Sequence, residues 1–214
     1  MTGADTYPGN QEGTACISDS SGNLLFYTGG ETIWNKNHSP MPNGSGLMGG
    51  TSSTQSSIII PLPNSDSIFY VFTSDEFQSY TSGPENGYRY TVVDMCLSNG
   101  TGDVLPSQKN ILLLDSATEK LSACQDALGT GYWVMGHKMF SDEFHAWHLT
   151  AGGITNTVIT NIGTLVGWDF LHSSWVYSPA QGQMKFNSSG TKLALAINSD
   201  PAVLDLLDFD ASTG

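Results

Sequence analysis

Cations are scarce in this chain: Lys and Arg together number 7 in 214 residues, against 20 Asp and Glu, for a net charge of -13. So few positive groups, spread over the whole length, form no stripe that neutralises phosphates or anionic lipid, which argues against nucleic acid and membrane surfaces as partners. Charge of either sign is sparse at 13%, about half the usual share, so the Lys/Glu surface of a helical protein is missing as well. Long apolar runs are also lacking. The stretches 58–60, 111–114 and 193–197 fall well short of the roughly 18 residues a membrane span needs, which excludes membrane insertion by a helix. Residues 1–10 have neither a cationic start nor an apolar stretch, so no targeting signal is legible, and the chain reads as cytoplasmic or as a piece of a longer protein. Cysteine is limited to Cys16, Cys96 and Cys124, an odd number without metal-ligand spacing, and all three are expected to be small buried hydrophobes.

What is present is polar, neutral and aromatic. Nine Phe, eight Tyr and five Trp lie within β-branched runs separated by Ser, Thr, Asn and Gly, and there are 24 Gly in all. That pattern excludes disorder and predicts an all-β protein with a sizeable core. Four repeated units are expected, over about 14–54, 55–118, 119–181 and 182–214. Each turns at a polar corner, Asp19-Ser20-Ser21-Gly22-Asn23, Pro63-Asn64-Ser65-Asp66-Ser67, Leu128-Gly129-Thr130-Gly131 or Asn187-Ser188-Ser189-Gly190-Thr191. Second strands follow at 24–28, 68–73, 132–138 and 192–197, and third strands at 32–35, 88–95, 143–150 and 203–209. Fourth strands are predicted only at 110–114 and 154–160, and the last unit stops at the turn Asp210-Ala211-Ser212-Thr213-Gly214. Four-stranded antiparallel units without intervening helices are the pattern of a β-propeller of about four blades, the last truncated; a β-sandwich is the alternative.

Several short stretches carry a family resemblance. They are Gly22 to Thr28 (Gly-Asn-Leu-Leu-Phe-Tyr-Thr), Trp34-Asn35-Lys36-Asn37-His38, Met41-Pro42-Asn43-Gly44, Ser53-Thr54-Gln55-Ser56, Val92-Val93-Asp94-Met95 and Gly102-Asp103-Val104. Thr118-Glu119-Lys120-Leu121, Tyr132-Trp133-Val134, Ser189 to Ala194 and Leu207-Asp208-Phe209-Asp210 extend them. Over nearly its whole length the chain resembles the N-terminal propeller-like region of large Bacteroidota surface proteins, in which immunoglobulin-like modules and a type IX secretion signal follow and which are associated with gliding motility. The resemblance implies a secreted or cell-surface protein and brings no catalytic residues with it. One departure is Asn187-Ser188-Ser189-Gly190, where relatives carry a Pro-Asp-Gly corner.

Candidate sites are few. Gly44-Ser45-Gly46-Leu47-Met48-Gly49 fits the G-x-G-x-x-G pattern but follows a proline-broken loop and precedes no helix, so it is not read as a dinucleotide site. His145 and His148 lie three apart in a strand and face opposite ways, which prevents joint chelation; His38, His137 and His172 read as hydrogen-bonded structural residues. No serine elbow is present.

Ser74-Asp75-Glu76-Phe77 and Ser141-Asp142-Glu143-Phe144 repeat at the loop between second and third strands of adjacent units. Asp75, Glu76, Asp142 and Glu143 are therefore expected on one loop face, with Trp168 and Trp175 of the long connection 161–181, which also carries His172 and Tyr177. Such a face suits a glycan or protein ligand in a non-enzymatic binding or adhesion module. The acids also fit calcium at Asp75 and Asp142, the one cofactor suggested. Paired carboxylates of a glycoside hydrolase are the alternative, and a structural spacer the second. The resemblance further implies O-glycans at Ser67 in Asp66-Ser67-Ile68 and at Ser116 in Asp115-Ser116-Ala117. The remainder of the parent chain is an expected partner.

Overall fold

A computed structural model describes residues 12–76, 86–167, 179–199 and 201–214. The described residues are all-β, with only two short 3-10 turns at Ser98–Gly100 and Pro106–Gln108. Among them no helix is long and apolar enough to cross a membrane. The first sheet is β1 (Ala15–Ser18), β2 (Leu24–Thr28), β3 (Thr32–Asn35) and β4 (Pro40–Ser45). The second holds β5 (Ser57–Pro61), β6 (Ile68–Ser74), β7 (Tyr88–Asp94) and β8 (Asp103–Val104), with β9 (Ile111–Leu114) also paired to β7. The third is β10 (Ala117–Gln125), β11 (Tyr132–Lys138), β12 (Ser141–Thr150) and β13 (Gly153–Val166), and the fourth β14 (Met184–Phe186), β15 (Lys192–Ile197) and β16 (Val203–Asp208). Every pairing is antiparallel between consecutive strands, except that β9 joins β7.

Local chemistry sets these hairpins. In three of the four first corners an Asp or Asn side chain caps the amides four positions on: Asp19 Oδ1 accepts from Asn23 N at 2.8 Å, Asp126 Oδ1 from Thr130 N at 2.9 Å, and Asn187 Oδ1 from Thr191 N at 2.8 Å. The glycine three residues after each capping residue, Gly22, Gly129 or Gly190, has φ of 84, 67 or 65° and donates its N–H back to the capping residue's carbonyl. Glycine adopts that backbone without a Cβ penalty.

Burial alternation shows how the sheets stack. In β6, Phe69 and Val71 pack with Phe26 and Ile33 of the first sheet, whereas Tyr70 and Phe72 pack with Val134 and Trp147 of the third. In β11, Val134 faces the second sheet and Trp133 and Met135 face Leu193, Leu195 and Met184 of the fourth. Middle sheets are thus covered on both faces, which is why their strands read as apolar on both alternations. First strands of successive sheets lie side by side (β1 with β5, β5 with β10, β10 with β14), and outer strands also meet, β4 with β8 and β13 with β16. Trp147 is 2% exposed and meets the Tyr88 ring edge-on at 5.7 Å. Removing such a ring leaves a cavity that costs about 3–5 kcal/mol.

Several expectations need correction. Residues 40–45 form strand β4 rather than a broken loop, because an edge strand tolerates prolines that a central one does not. The fourth strand of the second unit is split into β8 and β9, and β13 continues through 161–166, part of the segment expected to be a connection. Cys16 and Cys96 are exposed rather than buried: Cys16 takes an outward position of the edge strand β1, and Cys96 lies in the turn after β7. Cys124 is half-buried, and burial pushes its thiol up to about 11. Four sheets are present, but the described strands show no backbone pairing that closes them into a ring.

Candidate ligand-binding face

The segment that enters β5 is a hub. Gly13 N–H donates to Ser53 O at 3.1 Å and Ser56 Oγ donates to Gly13 O at 2.5 Å, which fixes the start of the first sheet. No side chain fits at Gly13, where a Cβ would lie 2.4 Å from Ser56 N. Thr54 N–H donates to Glu119 Oε2 at 2.9 Å and Gln55 N–H to Glu119 O at 3.1 Å, which ties the hub to β10. Gln55 then pairs with the fourth sheet as a strand would: its Oε1 accepts from Met184 N at 2.7 Å and its Nε2 donates to Met184 O at 3.2 Å. Between these contacts lies a cleft of about 540 Å³ lined by Glu12, Thr14, Thr54, Gln55, Ser57 and Gln183, with Gly13 and Gly182 at its walls. Five of those six side chains are neutral hydroxyls or amides, each able to donate and accept hydrogen bonds. None was picked out as a site residue in the sequence, although each sits just before, or opens, the first strand of its unit.

The acids occupy different settings on this end of the molecule. Asp75 is 2% exposed; its carboxylate accepts from Glu76 N at 2.9 Å and Asn86 N at 2.8 Å. Burial nevertheless raises its pKa, the amide bonds opposing. Glu76 Oε2 accepts from Ser52 N at 2.7 Å. Glu31 of the β2–β3 turn lies near both, and its pKa is raised first by burial and then by Glu76 and Asp75. Asp142 and Glu143 are not loop residues: both lie inside β12. Asp142 Oδ1 accepts from Asn161 Nδ2 at 2.8 Å, and Glu143 binds Lys138 Nζ at 2.9 Å and His145 Nε2 at 3.4 Å. The lysine, through its hydrogen bond, is the largest cause that holds the Glu143 carboxyl below its ordinary range.

Beside the hub lies a buried polar layer that sequence reasoning also missed. Lys120 is fully buried; its ammonium donates to Pro179 O at 2.6 Å and Ala180 O at 2.7 Å, and burial pushes its pKa down to about 7. Tyr88 Oη donates to Lys120 O at 2.7 Å, and its pKa is raised by burial. His137 is fully buried against Phe144, and burial and then Lys120 push it down to about 4. Its ring nitrogens have no hydrogen-bond partner among the described residues, contrary to the expectation of a hydrogen-bonded histidine. The available signal was the consecutive charges Glu119-Lys120 within β10, both buried because β10 lies between neighbouring sheets.

His145 and His148 do face opposite ways: His145 binds Glu143, and His148 binds Asp126 at 3.1 Å while stacking on Trp133. His38 hydrogen-bonds Tyr27 Oη at 3.2 Å. Ser67 and Ser116 lie in connections outside the strands, both partly exposed. Trp168, Trp175, His172 and Tyr177 lie outside the described residues, as does Phe77. Among the described residues no three His, Cys, Asp or Glu side chains converge as a metal set, and the Asp75 carboxylate is met by N–H donors rather than by further oxygen ligands. No protein-family model matches the chain, and comparisons with curated proteins and with solved structures find no match either.

Proposed function

We propose that this chain is a non-enzymatic recognition module, four units of a β-propeller in a secreted or cell-surface protein of the Bacteroidota kind, and that it binds a neutral glycan in the hub cleft. The carrying observation is the cleft itself, about 540 Å³ of space bordered by Thr14, Thr54, Gln55, Ser57 and Gln183. Hydroxyls and amides that both donate and accept match sugar hydroxyls, and a chain of net charge -13 disfavours anionic ligands. Support for propeller units comes from four consecutive antiparallel sheets stacked face to face, first strand beside first strand. Support for surface placement comes from the sequence resemblance alone, and it makes the type IX pathway the expected export route.

The test is a titration of neutral oligosaccharides against melting temperature and by calorimetry, since a ligand of the folded state raises the midpoint through linkage. Binding is expected for wild type and lost in Thr14→Val and Gln183→Ala at unchanged fold. A panel with no binder, or a binder indifferent to both substitutions, overturns the glycan reading.

A further inference from the structure

The fourth sheet has two unlike faces. Met184, Phe186, Leu193, Leu195 and Ile197 turn toward the third sheet and are buried. The alternate residues of β15 and β16 turn the other way, in three cross-strand rows: Lys192 beside Asp208, Ala194 beside Leu206, and Ala196 beside Leu204. Leu206 and Leu204 are 68% and 70% exposed, and no described residue covers them. Scattered exposed leucines are ordinary, but two in register beside two alanines make one continuous apolar patch.

The patch has relief. Long side chains stand along β16 and short ones along β15, so a ridge runs beside a furrow. Such a face complements itself in one orientation. A two-fold axis parallel to the strands, midway between β15 and β16, lays the ridge of each copy in the furrow of the other, with sheets about 10 Å apart. Leu206 then sits over Ala194 of the second copy and Leu204 over its Ala196, each contact occurring twice. An axis across the strands stacks ridge on ridge instead.

Charge selects the same orientation. Within one chain Lys192 Nζ pairs with Asp208 Oδ1, and the two side chains keep 48% and 87% of their exposure. The axis along the strands places Asp208 over Lys192 of the second copy, so four charges of alternating sign surround it and each carboxylate lies between two ammonium groups. Lys185, in the row of Ala194 and Leu206, falls just outside β16 of the second copy, clear of the leucines.

We propose that this face of the fourth sheet is a self-association surface, and that its partner is a second copy of this chain in an isologous dimer with Leu204 and Leu206 at its centre and Lys192 and Asp208 at its rim. Three strands at about 4.8 Å spacing and about 20 Å length give a flat area of about 300 Å² on each copy, the small end of specific interfaces, so association is weak and reversible. None of these residues lines the hub cleft, and the dimer forms with or without a glycan.

The test is sedimentation equilibrium of the chain as given at 0.15 M salt, where a screening length of about 8 Å limits the mutual repulsion of two copies of charge -13. The average mass is expected to climb from monomer toward dimer between roughly 20 μM and 1 mM and to go no higher, as a small closed interface requires. Leu206→Asp is expected to weaken association at least about tenfold at unchanged melting temperature, since it buries a carboxylate in the furrow. Leu204→Asp gives the same reading from the next row, and Ile159→Asp, on an exposed position of β13, is expected to change nothing. The register is read by charge exchange. Lys192→Glu alone and Asp208→Lys alone each set like charges against each other across the axis and are expected to stay monomeric, whereas an equal mixture of the two is expected to associate as wild type does, because each then offers the opposite charge to the other. A wild-type monomer at 1 mM overturns the proposal, as does association that survives both aspartates. Growth beyond the dimer overturns it in favour of head-to-tail contact, and a mixture that stays monomeric overturns the two-fold register.

Discussion

Ser74-Asp75-Glu76 and Ser141-Asp142-Glu143 share their letters but not their places. In the first, Ser74 ends β6, with its hydroxyl 2.9 Å from Ser53 Oγ, and Asp75 drops into the protein to bind two loop amides. In the second, the chain reverses over Met139 and Phe140, so Ser141 already opens β12 and its Oγ accepts from Glu143 N at 3.0 Å. The length of the turn decides which: a long connection between β6 and β7 lets the acid fold inward, and a two-residue turn commits it to the strand. A repeated tetrapeptide therefore marks equivalent positions along the chain, not equivalent chemistry.

The largest expected separation between the two is in stability. Asp75→Ala leaves the part-buried amides of Glu76 and Asn86 without their buried acceptor and is expected to cost about 1–3 kcal/mol. Asp142→Ala is expected to stay within about 0.5 kcal/mol, since it removes one surface hydrogen bond. Urea unfolding of both variants checks this, and equal midpoints break the comparison.

Next in size is the turn itself. Phe140 has φ of 59° and is 44% exposed, so it bears a left-handed backbone without compensating burial. Phe140→Gly is expected to be neutral or stabilising by up to about 1 kcal/mol, and Phe140→Val to cost about 1 kcal/mol or more. A destabilising glycine would show that the ring, not the tight reversal, holds Ser141 at the head of β12.

The two acids also have opposite pH signatures. Asp75 has a raised folded pKa, so the folded state keeps this proton where the unfolded chain has lost it; its contribution to stability falls as pH rises from about its ordinary 3.8 through the raised value. Glu143 has a lowered pKa: its contribution is fully present above its ordinary 4.5 and is lost as pH falls through the lowered value. Difference profiles between wild type and Asp75→Asn or Glu143→Gln, followed by thermal unfolding from pH 3 to 7, are expected to slope in opposite directions.

Much of the fold is legible in the sequence because hairpin corners are local. Leu24–Thr28, Tyr132–Lys138 and Lys192–Ile197 coincide with the expected second strands, each preceded by an Asp or Asn and a glycine three residues on. Pro40–Ser45 was hidden by its two prolines, whose tolerance depends on the strand being at an edge, a fact of topology. The cleft was hidden for a different reason. Thr14, Gln55 and Gln183 are remote in sequence and meet only because the starts of the sheets converge, and no local pattern reports that. Ser53-Thr54-Gln55-Ser56 stood out only as part of a resemblance; its role as the tie between β1, β10 and β14 rests on hydrogen bonds spanning up to 129 positions.

The smallest expected effect concerns the pair that Glu143 makes and that Asp75 lacks among the described residues. Lys138 Nζ lies 2.9 Å from Glu143 Oε1, but the two side chains keep 36% and 25% of their exposure, so water and ions compete for both. Attraction in that setting is weak and offset by the entropy of holding two long side chains together. A double-mutant cycle on Lys138→Met and Glu143→Gln is expected to show a small favourable coupling at low salt that vanishes near 1 M, where the screening length falls to about 3 Å. His145 sharpens the reading, since its ring contacts the other Glu143 oxygen at 3.4 Å and burial lowers its pKa, which leaves the lysine as the charged partner at neutral pH. A coupling that survives high salt would mean that Glu143 is held from water as Asp75 is, and the contrast between the two segments would fail.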